Sequence, residues 1–339
     1  MQRRFLNLVM MDMRAGGSYW LSRMKPEENL FYSSAKEAVA QDSQQRRRGR
    51  DKKMDESTLD LPSPLMRFRS SRVLDSTLAF LPFYGLAGSK VVVADSGGGT
   101  LLYDAQDDST EILPSINNGV KWFIPISLCV TNPNKAVRPD ALYAINGPNS
   151  GSFKSLVYCD APHVMAWRWL HLPGPPYLNN GEQNRAILHE WTKAGTWKLP
   201  FVGRALQVPE LYNLYFGFHD DNPDNLIALD LPSPPLQGAD GPPKVLLQWR
   251  GLCSPPQDGW SWSLLDSSLL YLGNYRFCIA KWFSIYNGSP FEADDLVDMA
   301  AVLTGVEIVN GQGNKEKLQM VKHKTRTFIF EYRNLESVL

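Results

Sequence analysis

The sequence predicts an all-β protein, a β-propeller of about five to six blades, on three observations. First, 25 glycines and 24 prolines in 339 residues interrupt helices along the whole chain. Second, short β-branched and aromatic segments alternate with turn residues. Third, two successive groups of three such segments follow one plan. A propeller is built from repeated meanders, because each blade buries its faces only against neighbouring blades. An aromatic-rich β-sandwich is the alternative.

Taken in order, Phe5–Met11 and Ser18–Met24 read as extended segments joined by a turn at Gly16-Gly17. Residues 1–35 are therefore expected to form an N-terminal hairpin that closes the propeller, which would pair otherwise exposed edges. From 36 to 60 the composition turns polar and holds the run Arg46, Arg47, Arg48, Arg50, Lys52 and Lys53. Little apolar surface is present there to offset the entropy of ordering, so this stretch is expected to be a disordered basic insertion. The propeller body is expected over 61–339.

Within the body, Lys90–Asp95, Thr100–Tyr103 and Thr110–Leu113 form one meander, with turns at Ser96–Gly99 and Asp104–Asp108. Ala141–Asn146, Ser152–Tyr158 and Trp167–Leu172 repeat the plan, so that Tyr103-Asp104 and Leu113-Pro114 have counterparts in Tyr158-Cys159-Asp160 and Leu172-Pro173. Trp197-Lys198-Leu199-Pro200 reads as a third ending, too close to Pro173 to hold three strands. Further strands are read at Arg204–Pro209, Leu211–His219 and Leu226–Leu231. Ser268–Leu272 then pairs with Tyr275–Tyr286 across Gly273-Asn274, and Val302–Val309 with Leu318–Phe330. Residues 292–301 read as one short helix or loop, from an acidic start and an apolar finish.

Equal numbers of basic and acidic residues, 35 of each, remove the overall electrostatic attraction that nucleic acid or an anionic membrane would exert. The apolar run Phe5–Met11 falls far short of the roughly 20 residues of a bilayer span, and no cleavable signal follows it. Cys129, Cys159, Cys253 and Cys278 are widely spaced beside apolar runs, as reduced thiols of an intracellular protein would be, in the cytoplasm or nucleus.

No sequence motif assigns a catalytic, cofactor-binding or metal-binding residue. His163, His171, His189, His219 and His323 form no adjacent ligand pair, and His189-Glu190 lacks the second histidine of a zinc-protease helix, with Lys193 in its place. Asp220, Asn222 and Asp224 copy the first side-chain positions of a calcium loop, but Asn225 stands at the glycine position and Leu231 where a bidentate Glu belongs. A polar connection built on Asx turns explains them equally. The run Arg46, Arg47, Arg48, Arg50, Lys52 and Lys53 is a candidate nuclear-import signal, or a solvated charge run. Lys322, Lys324 and Arg326 alternate along the last long strand and so would share one face, a candidate basic contact face; lysines on an edge strand also discourage sheet-to-sheet aggregation. Trp122, Trp167, Trp169, Trp249, Trp260, Trp262 and Trp282 lie in or beside apolar segments and are read as packing.

Several ordered blocks carry a family resemblance: Arg3-Arg4-Phe5-Leu6-Asn7-Leu8-Val9, Gly195-Thr196-Trp197-Lys198-Leu199-Pro200-Phe201 with Val208-Pro209-Glu210, Arg276-Phe277-Cys278-Ile279-Ala280, Val302-Leu303-Thr304-Gly305-Val306-Glu307 and Met320-Val321-Lys322-His323-Lys324. Over nearly the whole chain outside 36–60, the sequence resembles a grass-lineage family of plant proteins of unknown function, related to kelch-type propellers. The resemblance implies the fold and transfers no catalytic residue or ligand. Two departures stand out: the double-glycine and spaced Tyr/Trp pattern of kelch repeats is mostly absent, and strand sequence that the family carries between Leu188 and Trp191 is missing, which would leave one blade incomplete.

These features lead to the expectation of a non-catalytic, monomeric propeller that presents loops to a protein partner without cofactor, membrane or nucleic acid. Two alternatives remain: a carbohydrate- or small-molecule-active propeller using its central channel, and a truncated, non-functional copy.

Overall fold

The computed structural model describes residues 3–12, 18–47, 58–69, 77–83, 90–116, 126–130, 141–145, 152–161, 164–174, 198–231, 243–255, 259–287, 296–309, 313–330 and 333–339. The chain begins with β1 (Leu6–Asp12) and β2 (Ser18–Met24), passes through α1 (Pro26–Leu30) and α2 (Ala35–Arg47), and returns to β3 (Pro64–Arg69). Strands β4 (Leu78–Phe83), β5 (Lys90–Asp95), β6 (Thr100–Asp104) and β7 (Ser109–Leu113) follow, then β8 (Ile126–Val130), β9 (Ala141–Ile145), β10 (Phe153–Ala161) and β11 (Val164–Leu172). The second half holds β12 (Phe201–Val208), β13 (Leu214–His219), β14 (Leu226–Leu229) and β15 (Val245–Trp249), then β16 (Ser261–Gly273), β17 (Arg276–Tyr286), β18 (Leu296–Val309), β19 (Gln319–Phe330) and β20 (Arg333–Val338).

These strands make five four-stranded sheets in the orders β20-β1-β2-β3, β4-β5-β6-β7, β11-β10-β9-β8, β12-β13-β14-β15 and β16-β17-β18-β19. The protein is an all-β, five-bladed β-propeller. Each blade has its four strands, so the expected incomplete blade is not found among the described residues, nor is a sixth sheet. The stretch between Leu188 and Trp191 lies outside them. The first and last strands share a sheet, β1 pairing antiparallel with β20 from Leu8↔Val338 to Asp12↔Arg333.

Turn chemistry explains the legible meanders. The Asp95 carboxylate accepts from the Gly99 amide at 2.8 Å, and Gly98, at φ 92°, supplies the left-handed residue between β5 and β6. Tyr103 donates its hydroxyl to Asp108 at 2.7 Å, closing the β6–β7 turn. Between β16 and β17, Gly273 pairs with Arg276 around Asn274 and Tyr275, both at positive φ, which is the two-residue turn that suits strand twist.

Three expectations are corrected. Helix α2 (Ala35–Arg47) covers the first part of the 36–60 stretch read as disordered, of which 48–57 lie outside the described residues: Ser34 Oγ accepts from the Glu37 amide at 3.2 Å, a helix N-cap that offsets weak burial. Residues 296–301, within the 292–301 read as helix or loop, are the first part of β18, paired to β17 from Leu296 and also to β19 from Met299. Lys198–Pro200, read as the end of a meander, lead into β12, the first strand of a blade; residues 175–197 before them lie outside the described residues.

The chain divides into two compact units. In the unit of Met1–Gly16, Trp20–Met66 and Lys193–Val338, one core gathers Leu6, Leu8, Met10, Leu30, Phe31, Leu303 and Phe328, and another gathers Val208, Phe216, Phe218, Phe277, Phe283 and Val306. In the unit of Gly17–Tyr19, Arg67–Thr192 and Leu339, Leu81, Val92, Leu102, Leu142, Ala144 and Leu156 form the core. Tryptophans at both places behave as packing residues: Trp249 stacks on Phe216, Trp262 meets Phe283 edge-on, and Trp167 meets Phe83. Trp122 lies outside the described residues.

Candidate functional site

A connected group of charged side chains surrounds the edge of β19, where α1 and α2 lie against it and α1 also meets β18. Gly305 permits this approach, because a Cβ there would overlap the Leu30 carbonyl oxygen. Leu30 and Phe31 enter the core behind it. The last carbonyls of α1 lack intrahelical donors, and β19 supplies cations to them: Lys324 Nζ donates to the Glu28 oxygen at 3.3 Å and Arg326 Nε to the Asn29 oxygen at 3.0 Å. Lys324 also sits 5.2 Å from the centre of the Tyr32 ring, and Arg276 4.8 Å from that of Phe31.

At the centre is His323, its side chain fully enclosed. Its Nδ1 accepts from the Tyr32 backbone amide at 3.2 Å, so in the neutral ring the proton rides on Nε2. Nε2 faces Glu307 Oε2 at 3.2 Å, within ion-pair range though poorly aligned for a hydrogen bond. The same carboxylate oxygen takes Arg276 Nε at 3.0 Å, and Arg276 reaches on to Glu27 in α1 at 2.6 Å. Burial pushes the His323 pKa below its ordinary value, against the pull of Glu307 and with the help of Arg276.

The three cations expected to share a face do not. Thr304 pairs with Thr325 but Val306 with Lys322, so β19 advances three residues while β18 advances two. This bulge places Lys322 on the side of Val306 and Arg326 on the side of Leu303, whose side chains point to opposite faces of the sheet. Of the run proposed for nuclear import, Arg46 and Arg47 end α2, and Arg48, Arg50, Lys52 and Lys53 lie outside the described residues.

The calcium-like stretch has other work. Asn222 Oδ1 accepts from the Asp224 amide at 3.0 Å, Asp220 pairs with Lys198 at 3.1 Å, and Asp224 forms an ion pair with Lys281, a lysine only 1% exposed on β17. Lys198 holds the Asp220 carboxyl below its usual range. His219, Asp220 and Asp221 bring ligand-type atoms within 4.8 Å of one another, but the Asp221 amide already donates to His219 Nδ1 at 3.1 Å. His171 stands opposite Lys154, a buried lysine that donates to the Ile116 carbonyl. His163 and His189 lie outside the described residues. The cysteines are free thiols, Cys253 and Cys278 buried and Cys129 and Cys159 half-buried.

Sequence reasoning missed two features of this region. The α2 cap is spelled Ser34-x-x-Glu37, the spacing of a capping box; in the folded chain Glu37 takes the Ser33 amide at 3.1 Å and the Ser33 hydroxyl. The His323–Glu307–Arg276–Glu27 chain has no local signal, because its members come from four separate elements.

The model of a family described as protein of unknown function, DUF1668, matches residues 3–187 and 186–329. No curated protein matches the chain. Solved structures to which it is similar include the complex of the fission yeast SREBP-SCAP binding domains, at 12% identity over 78% of this chain and 66% of that one, with a TM-score of 0.21. The chain thus spans just under two thirds of that relative. Others are apo AztD from Citrobacter koseri, at 9% identity over 97% and 95% with a TM-score of 0.31, and dihydro-heme d1 dehydrogenase NirN in complex with DHE, at 11% identity over 97% and 75% with a TM-score of 0.27. Nothing about ligand or activity transfers at that level. The family match takes in residues 3–329 in two segments that overlap at 186–187, and on that extent the chain belongs to the DUF1668 family of proteins of unknown function.

Proposed function

We propose that the protein is a non-catalytic propeller that binds a partner protein, and that the outer face of β8–β11 is where it does so. One observation carries this reading. Leu128, Tyr143, Ser155 and Leu170 stand in register across all four strands on one face of the sheet, where Leu128 and Leu170 on the two outer strands are 50% and 43% exposed while Tyr143 is half-buried and Ser155 buried between them. Val130 extends the same face. On the opposite face Leu142, Ala144 and Leu156 are fully buried, as a blade core requires. Half-exposed apolar groups aligned on one face are costly to leave in water and mark a recognition surface. Exposed Arg168, opposite Val157 on that face, would meet an acidic group, so the partner is a protein with an apolar strip bordered by a carboxylate.

The use made of charged groups elsewhere supports the non-catalytic part: Lys281, His323, Lys324 and Arg326 all hold structure together. Within the same proposal, we take the family as plant, grass-lineage and kelch-related on the sequence blocks quoted above. The setting is intracellular, in keeping with four free thiols.

Proximity labelling in plant cells, comparing the wild type with Leu128→Asp/Leu170→Asp, tests the proposal, followed by binding of the purified partner. Proteins enriched by the wild type, lost in the variant and bound at least tenfold more weakly by it in purified form are the expected result. An identical set of labelled proteins for both would overturn it, provided the variant melts as the wild type does.

A further inference from the structure

The segment Pro26–Arg47, comprising α1 and α2, crosses the β18–β19 edge as a strap, and the polar contacts that tie it to the sheet run through the histidine cluster. Tyr32 donates its amide to His323, α1 is capped by Lys324 and Arg326, and Arg276 bridges Glu27 on the strap to Glu307 on β18. Two rings lie against the imidazole as well, Phe31 at 5.0 Å and Tyr32 at 6.2 Å between centroids. The geometry points to a pH-operated strap: α1–α2 docks on β19 while His323 is neutral and lifts when the ring takes a second proton, releasing Lys324 and Arg326 from the α1 carbonyls.

Donors and acceptors decide the matter. Neutral His323 offers Nδ1 as the acceptor that the Tyr32 amide needs. In the imidazolium both ring nitrogens are donors, so Nδ1–H would face the Tyr32 N–H with no acceptor between them, inside a site from which water is excluded. Glu307 would welcome the added charge, but its oxygen is already held by Arg276, whose own charge opposes a second cation. The remaining charged groups on the packed elements are Glu27 and Glu28 on α1, Lys36, Glu37, Asp42, Arg46 and Arg47 on α2, Asp298 on β18, and Lys322, Lys324 and Arg326 on β19. Glu37, which receives the Ser33 hydroxyl, is held below its ordinary value.

The direction follows from linkage. Docking lowers the histidine pKa, so the docked state is the one that binds fewer protons. Docking is therefore insensitive to pH above about 6.5, the ordinary value of a freed histidine, and weakens as pH falls below it, by up to tenfold per unit until the docked pKa is reached. The strap depends neither on the partner face of β8–β11 nor on the absence of catalysis.

Hydrogen–deuterium exchange of the full chain at pH 7.5 and pH 5.0, corrected for intrinsic rates, reads the strap through peptides covering residues 27–39, with β16–β17 as the internal reference. The expected result is an increase in strap opening of up to about 30-fold at pH 5.0 with the reference unchanged, and no such increase in His323→Gln, whose amide oxygen can accept from Tyr32 at either pH. If His323→Gln does not fold, Tyr32→Pro removes the donor instead and is expected to leave the strap equally open at both pH values. A strap that exchanges alike at both pH values in the wild type, or an acid response that survives in His323→Gln, would overturn the proposal.

Discussion

Replacing Asp224 by alanine would strip from Lys281 its ion-pair partner among the described residues, and this lysine has 1% of its side chain exposed in the middle of β17. Its neighbours in register are Ser267 on β16 and Val302 on β18, neither of which carries a charge to replace Asp224. Removing one partner of a buried ion pair costs about 3–5 kcal/mol, because a charge is left uncompensated. Asp224 itself is 69% exposed, and truncating it lets water approach the ammonium, which sets the cost at the low end, about 3 kcal/mol or two decades in the folding equilibrium. Lys281→Met keeps the aliphatic stem and removes the charge, so its cost is expected below about 1.5 kcal/mol. The double variant should then resemble Lys281→Met alone, a coupling of about 3 kcal/mol, the full Asp224→Ala cost. Urea unfolding followed by tryptophan fluorescence provides the assay, with Trp282 next to the lysine in sequence and itself buried. An Asp224→Ala cost within about 0.5 kcal/mol of zero, the range of an ordinary surface substitution, would refute the reasoning, as would a cycle with no coupling. Millimolar calcium is expected to leave the wild-type midpoint where it is, since binding at this turn would take Asp224 from Lys281.

Gly305→Ala is expected to cost about 1–3 kcal/mol by pushing the Leu30 carbonyl off the sheet, and to raise amide exchange at residues 27–39 at every pH; unchanged exchange there would show that the strap does not rest on Gly305. Burial pushes the Cys253 and Cys278 thiols up, whereas Cys129 and Cys159 are half-buried. Because the thiolate is the nucleophile, iodoacetamide at pH 8 should label Cys129 and Cys159 in the native protein and reach the other two only on unfolding; labelling of Cys278 at the rate of Cys129, read by peptide mass spectrometry, would contradict this.

Legibility in the sequence depends on whether the determining contact is local. The turns at Gly98 and at Asn274-Tyr275 need positive φ, and the glycines and asparagine present announce it, so β5–β6 and β16–β17 are legible as hairpins from those residues alone. Tyr103 and Tyr158, matched by their sequence context, do stand on corresponding third strands of consecutive blades. Illegible elements fail for identifiable reasons. Residues 296–301, the part of β18 read as helix or loop, go from exposed Leu296 and Val297 through half-buried Asp298 and Met299 to buried Ala300 and Ala301, a pattern without the alternation that announces a strand. Helix α2 has too few apolar residues to declare itself, and is held by its cap and by β19 rather than by an apolar stripe of its own.

The candidate basic face shows how one residue can redirect a functional reading. Counting by twos along Lys322, Lys324 and Arg326 is sound for a regular strand and fails across a single bulge, which turns Lys322 to one face and Arg326 to the other. The bulge lies opposite Gly305, where the absence of a Cβ also lets the end of α1 come down on the sheet. Close approach of the helix and loss of strand regularity therefore share one site. Together they convert two cations that looked free to recruit a partner into caps for a helix of the same chain. Leu128 and Leu170, by contrast, are apolar and exposed at 50% and 43%. For that reason the interaction reading moves from the charged edge of β19 to the row Leu128–Tyr143–Ser155–Leu170, where the strands keep strict register and the alternation rule holds.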